Sequence, residues 1–578
     1  MQKKSSLLAS AGFGVLIAAG MSAVAPTADA AAKKHHKAHH AAAAPSASAE
    51  EVHALTEQVQ ALTAQLQQQQ QATQALQAQA QQAQATAADA QASARSANDQ
   101  LHAQIETIPG EVKQEIAAEK PKDGKAHYKG VTLTLGGFAA AESVYRSRSE
   151  LADIGSSFAK IPYANSVLNH VDESRFTARQ SRLSLLAEGD IDPQTHAAFY
   201  TELDFLAGAQ TGNSTESNSF SPRIRNVYGT LDLDNVYGMA NVHLLAGQNW
   251  SLATMNTKGI TPRNELPPPT IDAQYVVGFV WARQPQIRVT ADFMDKQLWA
   301  AVSLENPATS LASAATGSGT TLTGVSAVTG GTSLSQFDNT NTITFNHIPD
   351  VIAKVAYEPN LFGSRPLHME VFGMYRDYYD RVYALAGNQA GLAVGNNNQD
   401  TSSGGVGAGV TWTAIPKLLD LEASALTGRG IGRYGSGQLP DAVVGPDGRL
   451  KPLAETMFLA GATVHATSAL DLYFFAGEEH ADRQSYVFGG KGFGYGSQLA
   501  TLTNCSVDTN PSASCSPDTQ LITQLAGGFW DKLYQGSYGQ VRVGVQYSYT
   551  ELTAFTGVGG QPKTNDSMIF TSFRYYPF

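Results

Sequence analysis

The sequence predicts an all-β membrane barrel of about 16 antiparallel strands, preceded by an N-terminal α-helical coiled coil. Three observations lead to this prediction. Residues 540–550 alternate between valine or tyrosine and polar side chains, which is the period of a strand with one face toward lipid and the other toward water. The chain closes on an aromatic residue, Phe578, after a strand of this kind. A regular heptad pattern precedes all of the strands.

Residues 1–30 have the layout of a secretory signal peptide. Lys3 and Lys4 precede an apolar run from Leu7 to Ala19, and small residues follow as far as Ala30. The apolar run is shorter than the roughly 20 residues that a transmembrane helix requires. Export with cleavage near Ala30 is therefore expected, and the strand-rich remainder then belongs in an outer membrane.

Three segments separate the signal peptide from the strands. Residues 31–50 form a basic leader rich in His, Lys and Ala, which either binds metal ions or an anionic polymer or is simply solvated, and we assign it no site. Residues 51–109 carry apolar side chains at eight of nine a positions and six of eight d positions of a heptad. This pattern predicts a coiled-coil stalk, most economically a trimer, with a disordered Gln-rich spacer as the alternative. Residues 110–130 form a polar linker.

The barrel is predicted to extend over residues 131–578, where alternating segments recur. When both barrel ends lie in the periplasm, odd-numbered connections are long external loops and even-numbered connections are short turns. The predicted strands obey this rule, with long odd-numbered connections at 249–278, 305–348, 378–402, 429–454 and 481–518. A barrel of this size encloses an aqueous lumen, and roughly 14 or roughly 18 strands are the alternatives.

Strand alternation assigns several charged side chains to the lumen. Arg288 shares a face with polar neighbours, opposite an apolar face. The same test places Lys354 and Arg542 inside, together with the carboxylates Glu202 and Asp204. Cations on some walls and carboxylates on another create a transverse field that orients a solute and discriminates by charge.

Other arginines do not follow this alternation. If Arg182 faces inward, Arg175 and Arg179 fall on the lipid side of the same strand, and Arg225 conflicts with its leucine neighbours in the same way. A charged side chain that faces lipid at mid-bilayer costs about 2–4 kcal/mol. These arginines therefore either lie at the outer rim or are turned inward by a bulge. Contact with lipopolysaccharide phosphates is the alternative role.

The third external connection, Asn249 to Gly278, contains Arg263 and Glu265 and is stiffened by Pro267–Pro269. A stiff, charged loop suits a constriction inside the lumen, which would place Arg263 at the narrowest point. A merely external loop is the alternative.

The remaining motifs predict neither a metal site nor catalysis. Cys505 and Cys515 lie close together in a Ser/Thr/Asn/Pro-rich stretch without a neighbouring histidine, which favours a disulfide that pins a loop. The Gly-x-Gly-x-x-Gly match at 430–435 has no helix after it, and Glu478-Glu-His480 is not a zinc-protease motif. We predict no enzyme activity and no cofactor. A net charge of −11 argues against a nucleic-acid partner.

Several motifs occur in a fixed order after the heptads and the linker. They are Leu-Gly-Gly-Phe in the first strand, Asp-Ile-Gly-Ser-Ser-Phe and Ile-Pro in the first loop, Arg-Phe-Thr-Ala-Arg-Gln-Ser-Arg-Leu, Arg-Gln-Pro-Gln-Ile-Arg, Ser-Leu-Glu-Asn-Pro, and the terminal Arg-Tyr-Tyr-Pro-Phe. This order resembles the DcaP-like trimeric porins, which are related to phosphate-selective porins. The resemblance implies homotrimers, a periplasmic coiled-coil stalk and an arginine-lined constriction that favours small anions. The arginines matched to that lining are Arg175, Arg179, Arg182, Arg225, Arg263 and Arg288.

The sequence thus predicts an outer-membrane porin with a water-filled channel for passive uptake of small, preferentially anionic solutes such as phosphate or dicarboxylates. The expected partners are two further copies of the chain, outer-membrane lipid and lipopolysaccharide, and peptidoglycan through the stalk. The alternative is a trimeric structural or adhesive protein whose barrel serves only as an anchor.

Overall fold

The computed structural model describes Ser96 and residues 125–207, 221–312, 325–332, 342–359, 363, 366–384, 396–508, 515 and 517–578. The chain divides into two compact units, Met1–Glu119 and Lys120–Phe578, and the fold described below is that of the second unit. The predicted signal peptide, the leader and all of the predicted stalk except Ser96 lie outside the described residues and stay predictions. No helix in the described part of the chain is long and apolar enough to cross a membrane.

Sixteen antiparallel strands in the described residues form the wall of a closed barrel. In chain order they are β1 (Val131–Arg146), β2 (Arg182–Asp192), β3 (Thr195–Ala207), β4 (Ser221–Val236), β5 (Ala240–Trp250), β6 (Arg283–Phe293), β7 (Leu298–Glu305), β8 (Asp350–Tyr357), β9 (Leu367–Ala384), β10 (Asn397–Ile415), β11 (Leu419–Arg429), β12 (Ala454–His465), β13 (Leu470–Ala481), β14 (Thr519–Gly536), β15 (Gly539–Ala554) and β16 (Lys563–Tyr576). The barrel closes because β16 pairs with β1, from Ala139 opposite Tyr575 to Arg146 opposite Met568. The predicted barrel and its strand number are confirmed.

Shorter elements extend the wall or lie in the loops. Ala126–Tyr128, within the predicted linker, and Glu173–Thr177 pair with β1, and Val325–Val328 pairs with β9. The loops contain two-stranded pairs and short 3-10 helices: Gly330–Thr332 with Thr342–Thr344, Ala442–Val444 with Leu450–Pro452, Gln484–Phe488 with Lys491–Tyr495, and the helices Phe158–Lys160, Val167–Asn169 and Gly432–Tyr434.

Long and short connections alternate, as the sequence predicts. The short turns join β2 to β3, β4 to β5 and so on to β14 and β15, and both barrel ends lie on their side. We number the opposite, external connections L1 to L8, and the ones used below are L1 (147–181), L3 (251–282), L4 (306–349), L6 (430–453), L7 (482–518) and L8 (555–562). By the usual convention of outer-membrane barrels, the short turns are periplasmic.

Alternation along the strands separates an apolar outer face from an inner face that is richer in polar groups. The exposed apolar side chains on the outer face include Leu135, Leu183, Phe199, Ile287, Val289, Val302, Leu304, Val355, Val371, Val406, Phe474, Leu525, Val545, Ile569 and Phe573. A groove of about 950 Å³ lined by Val289, Val355 and Val371 lies on this outer face and is therefore not part of a channel.

The lumen is not wholly aqueous, contrary to the sequence-based expectation. Ile154 and Phe158 of L1, Val276 of L3 and Leu439 of L6 belong to one buried hydrophobic cluster. The wall contributes inward-facing side chains to the same cluster, including Phe475, Ile522, Met568 and Phe570. Alternation identifies the inner face of a strand, but it does not report which loops cover that face. The loops thus narrow the barrel and confine the charged groups described next.

Candidate functional site

L3 leaves the end of β5 and reaches the opposite wall of the barrel. Inward-facing side chains of β13, β14 and β15 accept hydrogen bonds from its backbone. These bonds join Ile271 N to Gln546 Oε1 (2.5 Å), Val277 N to Gln524 Oε1 (3.0 Å) and Gly278 N to Glu479 Oε1 (2.8 Å). The Trp530 indole also donates to the carbonyl of Pro269, at 2.7 Å. The loop therefore crosses the lumen rather than lying outside the barrel.

Of the predicted lining residues, Lys354 binds this loop and Arg288 binds the end of the strand from which the loop starts. Lys354 Nζ donates to the carbonyl of Thr254 at 2.7 Å and to Glu370 Oε1 at 2.6 Å. Arg288 Nη2 donates to the carbonyl of Trp250 at 2.6 Å. Both cations face inward as expected, but they are only 1% and 3% exposed. Their contact with solute stays a prediction, and in this conformation both side chains are buried beside L3.

A bulge before β2 resolves the conflict among the first arginines. Thr177 pairs with Glu142 and Arg182 pairs with Phe138, so four residues, 178–181, face three residues of β1. The extra residue reverses the alternation. Arg175 consequently stands on the same inner side as Arg182, while its neighbour Phe176 points outward and is 78% exposed.

A second bulge lies in β4. Asn226 pairs with Glu202 and Ile224 pairs with Leu203, which leaves Arg225 as the extra residue. Arg225 turns inward and is 3% exposed, whereas Ile224 is 52% exposed on the outer face. The sequence left two explanations for these arginines, a position at the outer rim or a bulge. The structure has a bulge at both places.

These bulges assemble an arginine cluster on the wall formed by β2, β3, β4 and β6. We define it as Arg182, Arg223, Arg225 and Arg283. Two carboxylates of β3 lie among the guanidinium groups. Asp204 Oδ2 is 2.7 Å from Arg223 Nη2 and 2.9 Å from Arg225 Nη1, and Glu202 contacts Arg225 and lies 3.7 Å from Arg182 Nη1. Four guanidinium groups and two carboxylates leave an excess of positive charge.

Arg283 is a cluster member that the predicted lining does not include. Its guanidinium carbon lies 5.2 Å from the centroid of the Trp250 ring and 5.3 Å from that of Trp281, and it has no carboxylate partner among the described residues. Arg283 and Arg288 are an odd number of residues apart on β6, so strict alternation places their side chains on opposite faces. Alternation alone therefore does not assign Arg283 to the lumen. The positive charge of the cluster acts on Tyr275 of L3. Burial alone would raise the pKa of Tyr275, but Arg225, Arg283 and Arg182 lower it.

Arg263 projects from L3 into solvent. Its Nη1 donates to the Tyr228 hydroxyl at 3.2 Å, and its guanidinium carbon lies 5.7 Å from the centroid of the Tyr200 ring. Both tyrosines stand on the wall beside the arginine cluster, on β3 and β4. Arg263 is exposed and, among the described residues, forms no ion pair with a carboxylate. It is the predicted cation best placed to meet a solute.

The other predicted arginines have mixed surroundings. Arg179 is bound by Asp153 at 3.0 Å and donates to the carbonyls of Phe205 and Ala207, so it braces L1 against β3. Arg175 pairs with Glu173 at 3.5 Å and remains half exposed. Arg542 lies inside as predicted, 5.0 Å from the centroid of the Tyr576 ring.

Arg574 also faces the lumen. It lies beside Arg542 in the pairing of β15 with β16 and donates to Glu142 Oε1 at 2.9 Å. An outward position of Arg574 would have required cover from a neighbouring protomer. Its bond to Glu142, which is 3% exposed on the inner face of β1, removes that requirement.

Carboxylates and histidines dominate the lumen near the short turns. Four inward-facing histidines each lie between two carboxylates that contact different ring nitrogens. The groups are His196 with Asp190 and Asp234, His243 with Asp232 and Asp292, His368 with Glu358 and Glu370, and His465 with Asp420 and Asp471. The arginine-rich region and the acidic region thus follow one another along the barrel axis.

Cys505 and Cys515 are joined by a disulfide in L7, with an S–S distance of 2.02 Å and a Cα–Cα distance of 5.1 Å. The bond lies in an external loop, away from the arginine cluster. Its position suits a structural restraint on the loop.

The fold and the interior define the class, a sixteen-stranded β-barrel of the porin type with a loop folded into its lumen. No family model matches the chain, and no curated protein matches it in sequence. The fold is similar to that of the outer membrane channel DcaP of Acinetobacter baumannii, with 18% identity, coverage of 78% of this chain and 99% of that chain, and a TM-score of 0.51. The resemblance to DcaP that the motifs predicted is therefore confirmed for the fold.

Two further solved structures are similar over most of the barrel. The anion-selective porin from Comamonas acidovorans shares 11% identity, with 77% of this chain and 99% of that chain covered and a TM-score of 0.40. Pseudomonas putida OprB shares 11% identity, with 76% and 94% covered and a TM-score of 0.42.

Proposed function

We propose that the protein is an outer-membrane porin for the passive uptake of small solutes, with a moderate preference for anions such as phosphate or dicarboxylates. The observation that carries this proposal is the excess of guanidinium groups beside L3. An anion that enters along this wall meets the arginine cluster and Arg263, and the two carboxylates of the cluster offset only part of the positive charge. Such fields concentrate dissolved ions of the opposite charge and exclude those of like charge.

The acidic groups near the short turns limit this preference. Each histidine there is flanked by two carboxylates, so these three side chains together are negative whether or not the imidazole is protonated. Lys354 beside Glu370 and Lys532 beside Asp471 offset part of this charge at two of the four groups. An anion therefore meets attraction at L3 and weak repulsion toward the periplasm. This order of charges favours a graded selectivity rather than exclusion of cations.

The direct test is electrical. Purified protein in a planar bilayer should form open channels, and a salt gradient should give a reversal potential of the sign for anion preference. Chloride, phosphate and a dicarboxylate are compared under the same gradient. A cation-selective reversal potential in all three salts would overturn the anion preference while leaving the porin assignment intact.

A second candidate function is a structural or adhesive protein whose barrel is only an anchor. The packed contacts of L1, L3 and L6 inside the barrel favour it, because they reduce the open cross-section. In that case the reconstituted protein would insert into the bilayer without open conductance. Co-flotation of the protein with lipid vesicles checks insertion independently, and the different gel mobility of the unheated and the heated protein checks that the barrel is folded.

The trimer and the stalk belong to the same proposal. Three copies would join their 51–109 segments into one periplasmic coiled coil, which would give each copy a contact with peptidoglycan. Removal of residues 31–119 should leave the barrel folded, since that boundary precedes Lys120, where the barrel unit begins. A shortened chain that cannot fold would contradict the independence of the barrel, and one that stays trimeric in dilute detergent would contradict a need for the stalk.

A further inference from the structure

Three potential metal ligands meet on the outer face of the wall, just beyond the external end of β8. His347 is in L4, three residues before β8, whereas Asp377 and Asp400 belong to the paired strands β9 and β10. One ligand atom from each lies within 4.8 Å of the other two, and no other trio among the described residues does so. None of the three takes part in the lumen described above.

The two carboxylates face a single nitrogen. His347 Nε2 lies 3.2 Å from Asp400 Oδ1 and 3.7 Å from Asp377 Oδ2. At the lumen histidines, by contrast, the two carboxylates contact different ring nitrogens; for His243 the distances are 2.7 Å at Nδ1 and 2.9 Å at Nε2. One N–H proton cannot serve two carboxylates equally well, whereas a shared cation can.

A second observation also points to a cation. The side chain of Asp377 is only 3% exposed, and its Oδ2, the atom directed at His347, has no hydrogen-bond partner. A buried carboxylate oxygen without a partner is costly. A positive ion between the three side chains would remove that cost, and it would leave the exposed side, where His347 and Asp400 are open to solvent, free for water or an anion.

The spacing and the donor set indicate the class of ion. Tetrahedral ligands about 2.1 Å from a metal lie about 3.4 Å from one another, close to the two separations found here. One imidazole nitrogen and two carboxylate oxygens suit Zn²⁺ or a similar divalent transition metal better than Mg²⁺, which prefers oxygen ligands alone. Tyr379, packed edge-on at 4.3 Å between ring centroids, fixes the imidazole plane.

The position of the site relative to the membrane is also informative. The outward positions of β9 are, toward its external end, Val371, Gly373, Tyr375 and then Asp377. Aromatic residues mark the membrane interface in barrels of this type. The three ligands therefore stand at the level of the anionic head groups of the outer leaflet.

We propose that His347, Asp377 and Asp400 form a binding site for a divalent transition-metal ion of the Zn²⁺ class on the external rim of the barrel. The ion joins L4 to the β9–β10 hairpin. Its remaining coordination position faces outward.

The test is a calorimetric titration of the full chain in detergent with Zn²⁺, and Mg²⁺ is the comparison ion. The leader contains His35, His36, His39 and His40, which are potential Zn²⁺ ligands independent of this site. All proteins in the titration therefore carry these four histidines as glutamine. We expect one Zn²⁺ site per chain and much weaker Mg²⁺ binding.

His347→Gln and Asp377→Asn should each weaken that site by about 100-fold or more, since even partners of metal ligands contribute about 10–100-fold. His170→Gln is the matched control, because His170 lies 3.5 Å from Asp508 in another external pair, which has no third ligand among the described residues. Equal gel mobility of all variants shows that the barrel is folded. Absence of a Zn²⁺ site in the leader-substituted protein, or a site indifferent to His347, would overturn the proposal.

Discussion

The side-chain carbonyl of Gln546 on β15 accepts a 2.5 Å hydrogen bond from the backbone N–H of Ile271 in L3. Both groups are buried, and they lie 275 positions apart in the chain. The same oxygen accepts a 3.1 Å hydrogen bond from the Tyr473 hydroxyl. Gln546 thus fixes the inward loop to the wall opposite the strand from which the loop starts, and the width of the channel depends on such anchors.

The first prediction concerns this anchor. Gln546→Ala removes the acceptor of buried donors, which costs about 1–3 kcal/mol at the loop and should let L3 move from the wall. Single-channel recordings should show a larger or more variable conductance than the wild type. Gln561→Ala, at an exposed glutamine of L8 whose side chain donates to Gln520, is the control and should leave the conductance unchanged. Identical conductance in both variants would show that L3 does not set the width.

The second prediction concerns selectivity. Arg263→Gln removes an exposed guanidinium from L3 and should shift the reversal potential toward cations, and Arg263→Glu should shift it further. Arg263 has no carboxylate partner in the described part of the chain, so its replacement leaves no buried charge unpaired. Lys563→Gln, at an exposed outer-rim cation that pairs with Glu551, serves as the control for bulk surface charge. A shift of the same size in the control would assign the effect to the outer surface.

The third prediction compares buried and exposed lysines. Lys354→Met leaves Glu370 buried at 2% exposure with His368 and the L3 backbone as its remaining partners among the described residues, and should destabilise the fold by about 3–5 kcal/mol. Lys563→Met breaks the exposed pair with Glu551 and should cost about 0–1 kcal/mol. Urea unfolding of the two variants, monitored by the gel mobility of the barrel, measures both losses of stability. Similar losses would contradict the burial of Lys354 under L3.

The fourth prediction concerns pH. Burial raises the pKa of Glu150 in L1 to about 7 from 4.5, although Arg146 and the N–H of Ser157 oppose the rise. The folded protein therefore holds this proton more tightly than the unfolded chain does. The stabilisation is complete below pH 4.5 and is lost as the pH rises through about 7, on the order of 3 kcal/mol in all.

Glu150→Gln, which mimics the protonated form, should remove this pH dependence and should be more stable than the wild type at pH 8. Thermal unfolding of both proteins at pH 4.5, 6 and 8 is the measurement, with the exposed Glu551→Gln as control. Parallel curves for wild type and Glu150→Gln would show that the carboxyl is solvated.

Local alternation was enough to identify the barrel. Residues such as Arg288, Lys354 and Arg542 were assigned to the correct face because a strand exposes successive side chains on opposite sides, whatever the strand pairs with. The order of short and long connections followed from the same strands, because turns on the periplasmic side need few residues. The heptads and the signal peptide are equally local patterns, and they remain predictions.

The interior depended on contacts between distant segments. No local pattern distinguishes a regular strand from one with an extra residue, so the inward positions of Arg175 and Arg225 required the pairing with β1 and β3. Coverage of Arg288 and Lys354 by L3 is likewise a property of where a loop packs.

The sequence by itself therefore determined the barrel and the inner face of most strands, because these follow from a period of two residues. The lengths of the connections between the strands determined which end of the barrel carries the long loops. Only the tertiary structure decided which inner cations remain open to solvent. That outcome depends on a loop that starts at β5 and is held by Gln546 and other polar side chains of the opposite wall, whose positions no period in the chain specifies.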